Sequence, residues 1–115
     1  MATLTIDELA RQGNRAELAL VGEIDLDTVG LLRGRLDELK AQGVDRLVLD
    51  LHETRYVNST ALAVLVKFAE SVRERGGGIA LVRVTPRVKL VFEMLGLLPF
   101  FKFFDARADA AGFGA

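Results

Sequence analysis

Val57-Asn58-Ser59-Thr60-Ala61-Leu62 places two hydroxyls after a helix-capping residue and before an apolar run. Upstream, Leu47-Val48-Leu49-Asp50-Leu51 reads as a buried strand, and His52-Glu53-Thr54-Arg55 as the polar loop that leaves it. Asn58 is the predicted N-cap, its side-chain oxygen accepting from the backbone N–H of Thr60 or Ala61. Ser59 and Thr60 then occupy the first turn, where free N–H groups and the positive end of the helix dipole stabilise an added anion such as phosphate. The same hydroxyls serve equally well simply to start a helix. Deciding between the two needs the rest of the chain.

The helix opening at Ser59 is apolar all round from residue 61 to 66, whereas Lys67, Glu70, Ser71 and Glu74 share one face at spacings of three and four. Its first half is therefore expected to be buried and its second half wet. Traced backwards, the wet face reaches Ala63, Thr60 and Ser59. Small side chains there let another molecule approach closely.

Around this helix the chain alternates strands and helices. Leu4 and Ile6 alternate with Thr3, Thr5 and Asp7; Gln12-Gly13-Asn14 supplies a turn; Glu17-Leu18-Ala19-Leu20-Val21 returns as the second strand of a hairpin. Val29, Leu32, Leu36 and Leu39 form a helical stripe with Asp27 as its expected N-cap and Gly43 as its close. Residues 46–51 are apolar on both faces, as in a central strand covered on both sides. Gly76-Gly77-Gly78 ends the second helix, and Ile79-Ala80-Leu81-Val82-Arg83-Val84 forms a strand. Thr85-Pro86 caps a last helix with the stripe Val88, Val91, Phe92 and Leu95, closed by Gly96. Pro99-Phe100-Phe101-Lys102-Phe103-Phe104 reads as a short edge strand, and residues 106–115, rich in alanine and glycine, as a frayed tail. The expected fold is α/β, a mixed sheet of about five strands with three main helices in the order ββαβαβαβ, in one domain spanning residues 1–105.

Composition narrows the function. The 115 residues, 50% hydrophobic, can bury about two-thirds of the surface that the unfolded chain exposes. There is no cysteine, so no disulfide framework or thiol chemistry. Formal net charge is −1 with scattered basic residues, which leaves no electrostatic footprint for nucleic acid or an anionic membrane. No apolar run approaches the ~20 residues of a membrane-spanning helix, and the N-terminus lacks signal-peptide regions, so a cytoplasmic protein is expected.

The element order, with the hydroxyl motif after the third strand, resembles the STAS domain, specifically the single-domain bacterial anti-sigma-factor antagonists. The resemblance spans nearly the whole chain. Its marks are Leu20-Val21-Gly22-Glu23-Ile24-Asp25, Leu49-Asp50-Leu51, Asn58-Ser59-Thr60-Ala61-Leu62, and Val91-Phe92 followed by Gly96-Leu97. It implies binding to a serine kinase of the histidine-kinase-like ATPase type that doubles as the anti-sigma factor, so that a sigma factor is freed. It further implies release of the antagonist when the kinase phosphorylates a serine in an Asp-Ser-Ser/Thr-Gly-Leu-like motif, and resetting by a metal-dependent Ser/Thr phosphatase. The acceptor serine maps to Ser59, with Thr60 as second choice.

Two residues depart from that pattern: Asn58 stands where the family usually has Asp, and Ala61 where it usually has Gly. Ala63 likewise replaces another small residue that is often Gly. Asn keeps the cap but removes a charge, which predicts slower phosphorylation with docking retained. Ala61 favours helix by about 1 kcal/mol over glycine.

Enzyme readings fare worse. His52, the only histidine, sits in a polar loop, and Gly76-Gly77-Gly78 lacks the spacing and the Lys-Ser/Thr of a phosphate-binding loop. Asp50, with Glu23, Asp25 and Asp27 after an earlier strand, could imitate the magnesium pocket of a response-regulator receiver phosphorylated on aspartate. The N-terminal hairpin and the three helices argue against that topology. The expectation is thus a noncatalytic binding switch without cofactor or metal, a monomer or weak dimer. Its partner surface is assigned to Glu23, Ile24, Asp25, Tyr56, Val57, Asn58, Ser59, Thr60 and Ala63. A scaffold or accessory subunit, stressosome-like or transporter-associated and without a phosphate cycle, is the alternative.

Overall fold

β1 (Leu4–Gln12) and β2 (Arg15–Ile24) form an antiparallel hairpin that turns at Gly13, φ +58°. Along β2 every second residue is buried, Ala16, Leu18, Leu20 and Ile24 among them, and these side chains receive the helices. A computed structural model describes residues 2–113. After β2 come α1 (Val29–Ala41), β3 (Arg46–Asp50), β4 (Thr54–Val57), α2 (Ser59–Val72), β5 (Gly78–Val82), α3 (Pro86–Met94) and β6 (Lys102–Phe104). The sheet order is β1-β2-β3-β5-β6, parallel except for β1, and β4 pairs with β2 beyond the end of β3.

β4 adds a sixth strand in a segment whose residues 52–55 read as a polar loop in the sequence. Four residues with no apolar alternation carry no strand signal of their own. They are held by β2: the Gly22 N–H donates to the Glu53 carbonyl (3.0 Å) and the Thr54 hydroxyl to the Leu20 carbonyl (2.6 Å). At Gly22 the strand shifts register between partners. Its φ of +120° and the 2.1 Å that would separate an added Cβ from the Thr3 carbonyl oxygen both require glycine.

α1 buries the expected stripe Val29, Leu32, Leu36 and Leu39, and Gly43 closes it, with the Val44 N–H donating to the Leu39 carbonyl (2.9 Å). Its start differs: the N-cap is Thr28 and not Asp27, with no side-chain cap bond, and ahead of it the Asp25 carboxylate accepts from the N–H groups of Asp27 (2.9 Å) and Thr28 (3.2 Å). Two residues' more reach lets Asp25 close the turn from the end of β2. α3 buries Val88 and Phe92, and Phe92 meets Phe101 and Phe103 edge-on at 5.3 and 5.9 Å. Leu95, assigned to that stripe, is 48% exposed because the helix ends at Met94 and the chain turns away at Gly96.

All three helices pack on one face of the sheet and join a single core. The other face is covered too, as the two-sided apolarity of β3 requires. The cover is the segment expected to fray: Arg107–Ala110 form one 3-10 turn, and Ala110 is fully buried against Val48, Ala80 and Val82, flanked by Phe104 and Phe113. Alanine's small side chain lets this turn lie close to the strands, so a composition that suggests fraying is what fits here. Arg15 donates to the Ala110 carbonyl (2.8 Å) and Arg107 to Glu17 (3.1 Å). Partial burial raises the Glu17 carboxyl, but bonds from Arg15 and Arg107 outweigh it and hold its pKa below the usual value. Residues 114 and 115 of the expected tail lie outside the described residues.

An unpaired carboxylate at the buried turn is costly. Ala110→Asp is expected to lower stability by about 3 kcal/mol in urea unfolding.

Candidate functional site

β4 delivers Asn58 to the end of β2, where the Asn58 N–H donates to the Ile24 carbonyl (3.0 Å). The Asn58 backbone is extended (φ −101°, ψ 173°), and its side-chain oxygen accepts from the Ala61 N–H (2.8 Å). This is the predicted cap. Ser59 is the first residue of α2, and Ser59, Thr60 and Ala63 are exposed while Ala61, Leu62 and Leu65 anchor the helix in the core. Ala61 is fully buried, so its extra methyl relative to glycine faces the core and not a partner.

Ser59 and Ala63 open into a shallow groove of about 660 Å³ that continues past Val66, Lys67, Glu70 and Ser71. Its far wall is Leu95 and Leu97, beyond the end of α3. Of the wet face traced in the sequence, Ser59, Ala63, Lys67, Glu70 and Ser71 line this groove, whereas Thr60 and Glu74 do not. Helical periodicity does not assign Leu95 and Leu97 to the site; Gly96-Leu97 is the one sequence signal that points toward them.

The rest of the assigned surface divides by burial. Tyr56 is half exposed, and Glu23 is partly exposed and ion-paired with Arg55. Asp25 spends its carboxylate on the α1 turn. Ile24 (0% exposed) and Val57 (3%) are corrections: both side chains, at the ends of β2 and β4, belong to the core, where they support the surface from below. Thr28, not singled out in the sequence, is buried, and its hydroxyl donates to the Glu23 carbonyl (2.7 Å) while accepting from the Asp25 N–H (3.0 Å). That stiffens the loop beside Asn58.

The acids of the receiver reading do not converge: no group of three acids, histidines or cysteines suited to a metal forms among the described residues. Asp50, 5% exposed, accepts from the His52 N–H (3.0 Å) and is ion-paired with Arg83 (2.6 Å). No helix among the described residues is long and apolar enough to cross a membrane.

A mainly parallel sheet with helices on one face, a strap on the other and a serine exposed at the start of α2 defines the class. The STAS domain family model matches residues 8–110, and the chain belongs to that family. It is 31% identical over 90 residues to the anti-sigma-B factor antagonist of Bacillus subtilis (strain 168), covering 78% of this chain and 82% of that protein. To the anti-sigma F factor antagonist of Paenibacillus polymyxa it is 27% identical over 92 residues, 79% of each. An anti-sigma factor antagonist from Mycobacterium paratuberculosis shares the fold with a TM-score of 0.82 at 23% identity, covering 94% of this chain and 91% of that one. The anti-sigma factor antagonist SpoIIAA in its unphosphorylated form does so with a TM-score of 0.79 at 18% identity, covering 92% of each chain.

The cap bond gives a measurable consequence. Asn58→Ala is expected to cost about 1 kcal/mol in thermal or urea unfolding, and Asn58→Asp to be nearly neutral, since both side chains offer the same acceptor.

Proposed function

We propose that this chain is an anti-sigma-factor antagonist that binds a serine-kinase anti-sigma factor of the histidine-kinase-like ATPase type through the Ser59 surface, and is switched off by phosphorylation of Ser59. The observation that carries the reading is the exposed Ser59 at the start of α2, beside the small side chain of Ala63 at the mouth of a groove that continues past Lys67 and Glu70. The curated relatives are named antagonists of anti-sigma factors, which agrees with this assignment.

The chemistry falls to the partner. The kinase's ATP transfers its γ-phosphoryl group to the Ser59 oxygen, the serine proton leaves to a base of the kinase, and ADP is released. This chain supplies the acceptor and holds it rigidly. The product adds a charge of about −1.5 to −2, which the helix N-terminus tolerates, so the domain stays folded while bulk and desolvation at the mouth of the groove weaken docking. A metal-dependent phosphatase restores the hydroxyl. The protein thereby acts as a regulatory binding module in the cytoplasm, freeing a sigma factor while unphosphorylated. The scaffold alternative predicts docking without phosphate turnover. A receiver-like role for Asp50 is disfavoured by its ion pair with Arg83.

With the cognate kinase, Ala63→Arg is expected to weaken binding by about 2 kcal/mol, roughly 30-fold, by calorimetry, with little change in stability because the position faces out. Ser59→Asp should behave likewise. Unchanged affinity of both variants would remove this surface from the mechanism.

Mass spectrometry after incubation with kinase and ATP should place one phosphate on Ser59, and Asn58→Asp should speed its incorporation while leaving affinity unchanged. Label on Thr60 shifts the acceptor by one residue; label on Asp50 overturns the reading, and none at all favours the scaffold.

A further inference from the structure

Two connections run toward the candidate site, one from β3 through β4 to α2 and one from β5 to α3, and a single ion pair ties their starting points together. Asp50 ends β3 and Arg83 follows β5 directly. The Asp50 carboxylate accepts from Arg83 Nε (3.3 Å) and Nη2 (2.6 Å), and again from the His52 N–H (3.0 Å). Arg83 is the one non-glycine among the described residues with a positive φ, +55°. That conformation is unfavourable for a side chain bearing a Cβ and persists only when its surroundings impose it. Here they do so from two sides: Asp50 holds the guanidinium, and the Arg83 N–H donates to the Phe104 carbonyl (3.1 Å). The charge and bonds of Asp50 also hold the guanidinium's proton more tightly than usual.

What the pair controls follows from where each connection goes. Two residues after Arg83, Thr85 caps α3. α3 packs on β4, and beyond its end Leu95 and Leu97 form the far wall of the groove that Ser59 opens. From Asp50 the chain runs through the His52 turn and β4 to Asn58 and Ser59. Both walls of the groove therefore trace back to the two halves of one ion pair.

We infer that Asp50 and Arg83 are positioning residues for the Ser59 surface: their pairing sets the spacing between the start of α2 and the end of α3, and through it the affinity for the kinase partner. This rests on the function proposed above. Neither residue touches the phosphoryl group. The pair acts by holding the docking surface in its binding shape.

Arg83→Gly provides the test, because glycine accepts a φ of +55° without strain, so the clamp is lost with no backbone clash introduced. The variant is expected to stay folded and to show raised Kd for the kinase and raised KM for Ser59 phosphorylation, each by about tenfold, with kcat little changed. Its amide resonances should shift at Asn58, Ser59, Leu95 and Leu97. Arg83→Lys, which keeps the charge but not the two-pronged contact, should show a smaller loss of the same kind. Arg87→Ala removes an exposed arginine from the same helix start and should change none of these values. Unchanged affinity and resonances in Arg83→Gly overturn the inference, as does an equal loss in Arg87→Ala, which would mean that the partner reads local charge. If the wild-type chain binds no such kinase, the proposed function falls, and the resonance shifts alone decide whether the pair positions the groove.

Discussion

The arrangement depends on one strand edge shared by two partners. β2 pairs with β3 from Arg15 to Ala19 and with β4 from Gly22 to Ile24, while the chain between those partners steps across at residues 51–53. Every backbone donor in such a step needs an acceptor. The Gly22 N–H finds the Glu53 carbonyl and the Thr54 N–H the Leu51 carbonyl (3.1 Å), while the Thr54 hydroxyl occupies the Leu20 carbonyl and the positive φ of Gly22 permits the step. The chain consequently enters α2 from the end of β2 and not from the end of β3. This alone puts the Glu23–Asp25 turn beside Asn58 and Ser59, residues more than thirty positions apart.

Burial then separates stability from function. The helices cover one face of the sheet, the turn at Ala110 covers the middle of the other, and the core owes nothing to Ser59, Thr60 or Ala63. A phosphate or a partner can be added or removed at those positions without opening a cavity. The hydrophobic side chains beneath, Ile24, Val57 and Ala61, keep the surface rigid by being unavailable to it. Of the departures from the family motif, Ala61 is therefore a packing change, and only Asn58 and Ala63 alter the solvent-facing surface.

The sequence by itself determined what short-range physics controls. The alternation of β2, the stripe of α1, the Asn58 and Thr85 caps and the glycine closures at Gly43 and Gly96 each depend on residues within a few positions of one another, and each is legible as a pattern. The order of the elements and the Ser59 motif followed, and with them the family. The exposed face through Ser59 and Ala63 was readable for the same reason, since helical periodicity assigns faces without tertiary information. Tertiary structure alone decided the rest. β4 is a strand only because β2 offers it an edge, Ala110 is buried only because Val48, Ala80 and Val82 assemble a face small enough to receive it, and Leu95 reaches the groove only because α3 packs beside α2 and β4 in the fold. Asp50 and Arg83 meet across 33 positions by the register of β3 with β5. Pairing between distant segments leaves no local periodicity, so those contacts exist in the fold and not in any window of the chain.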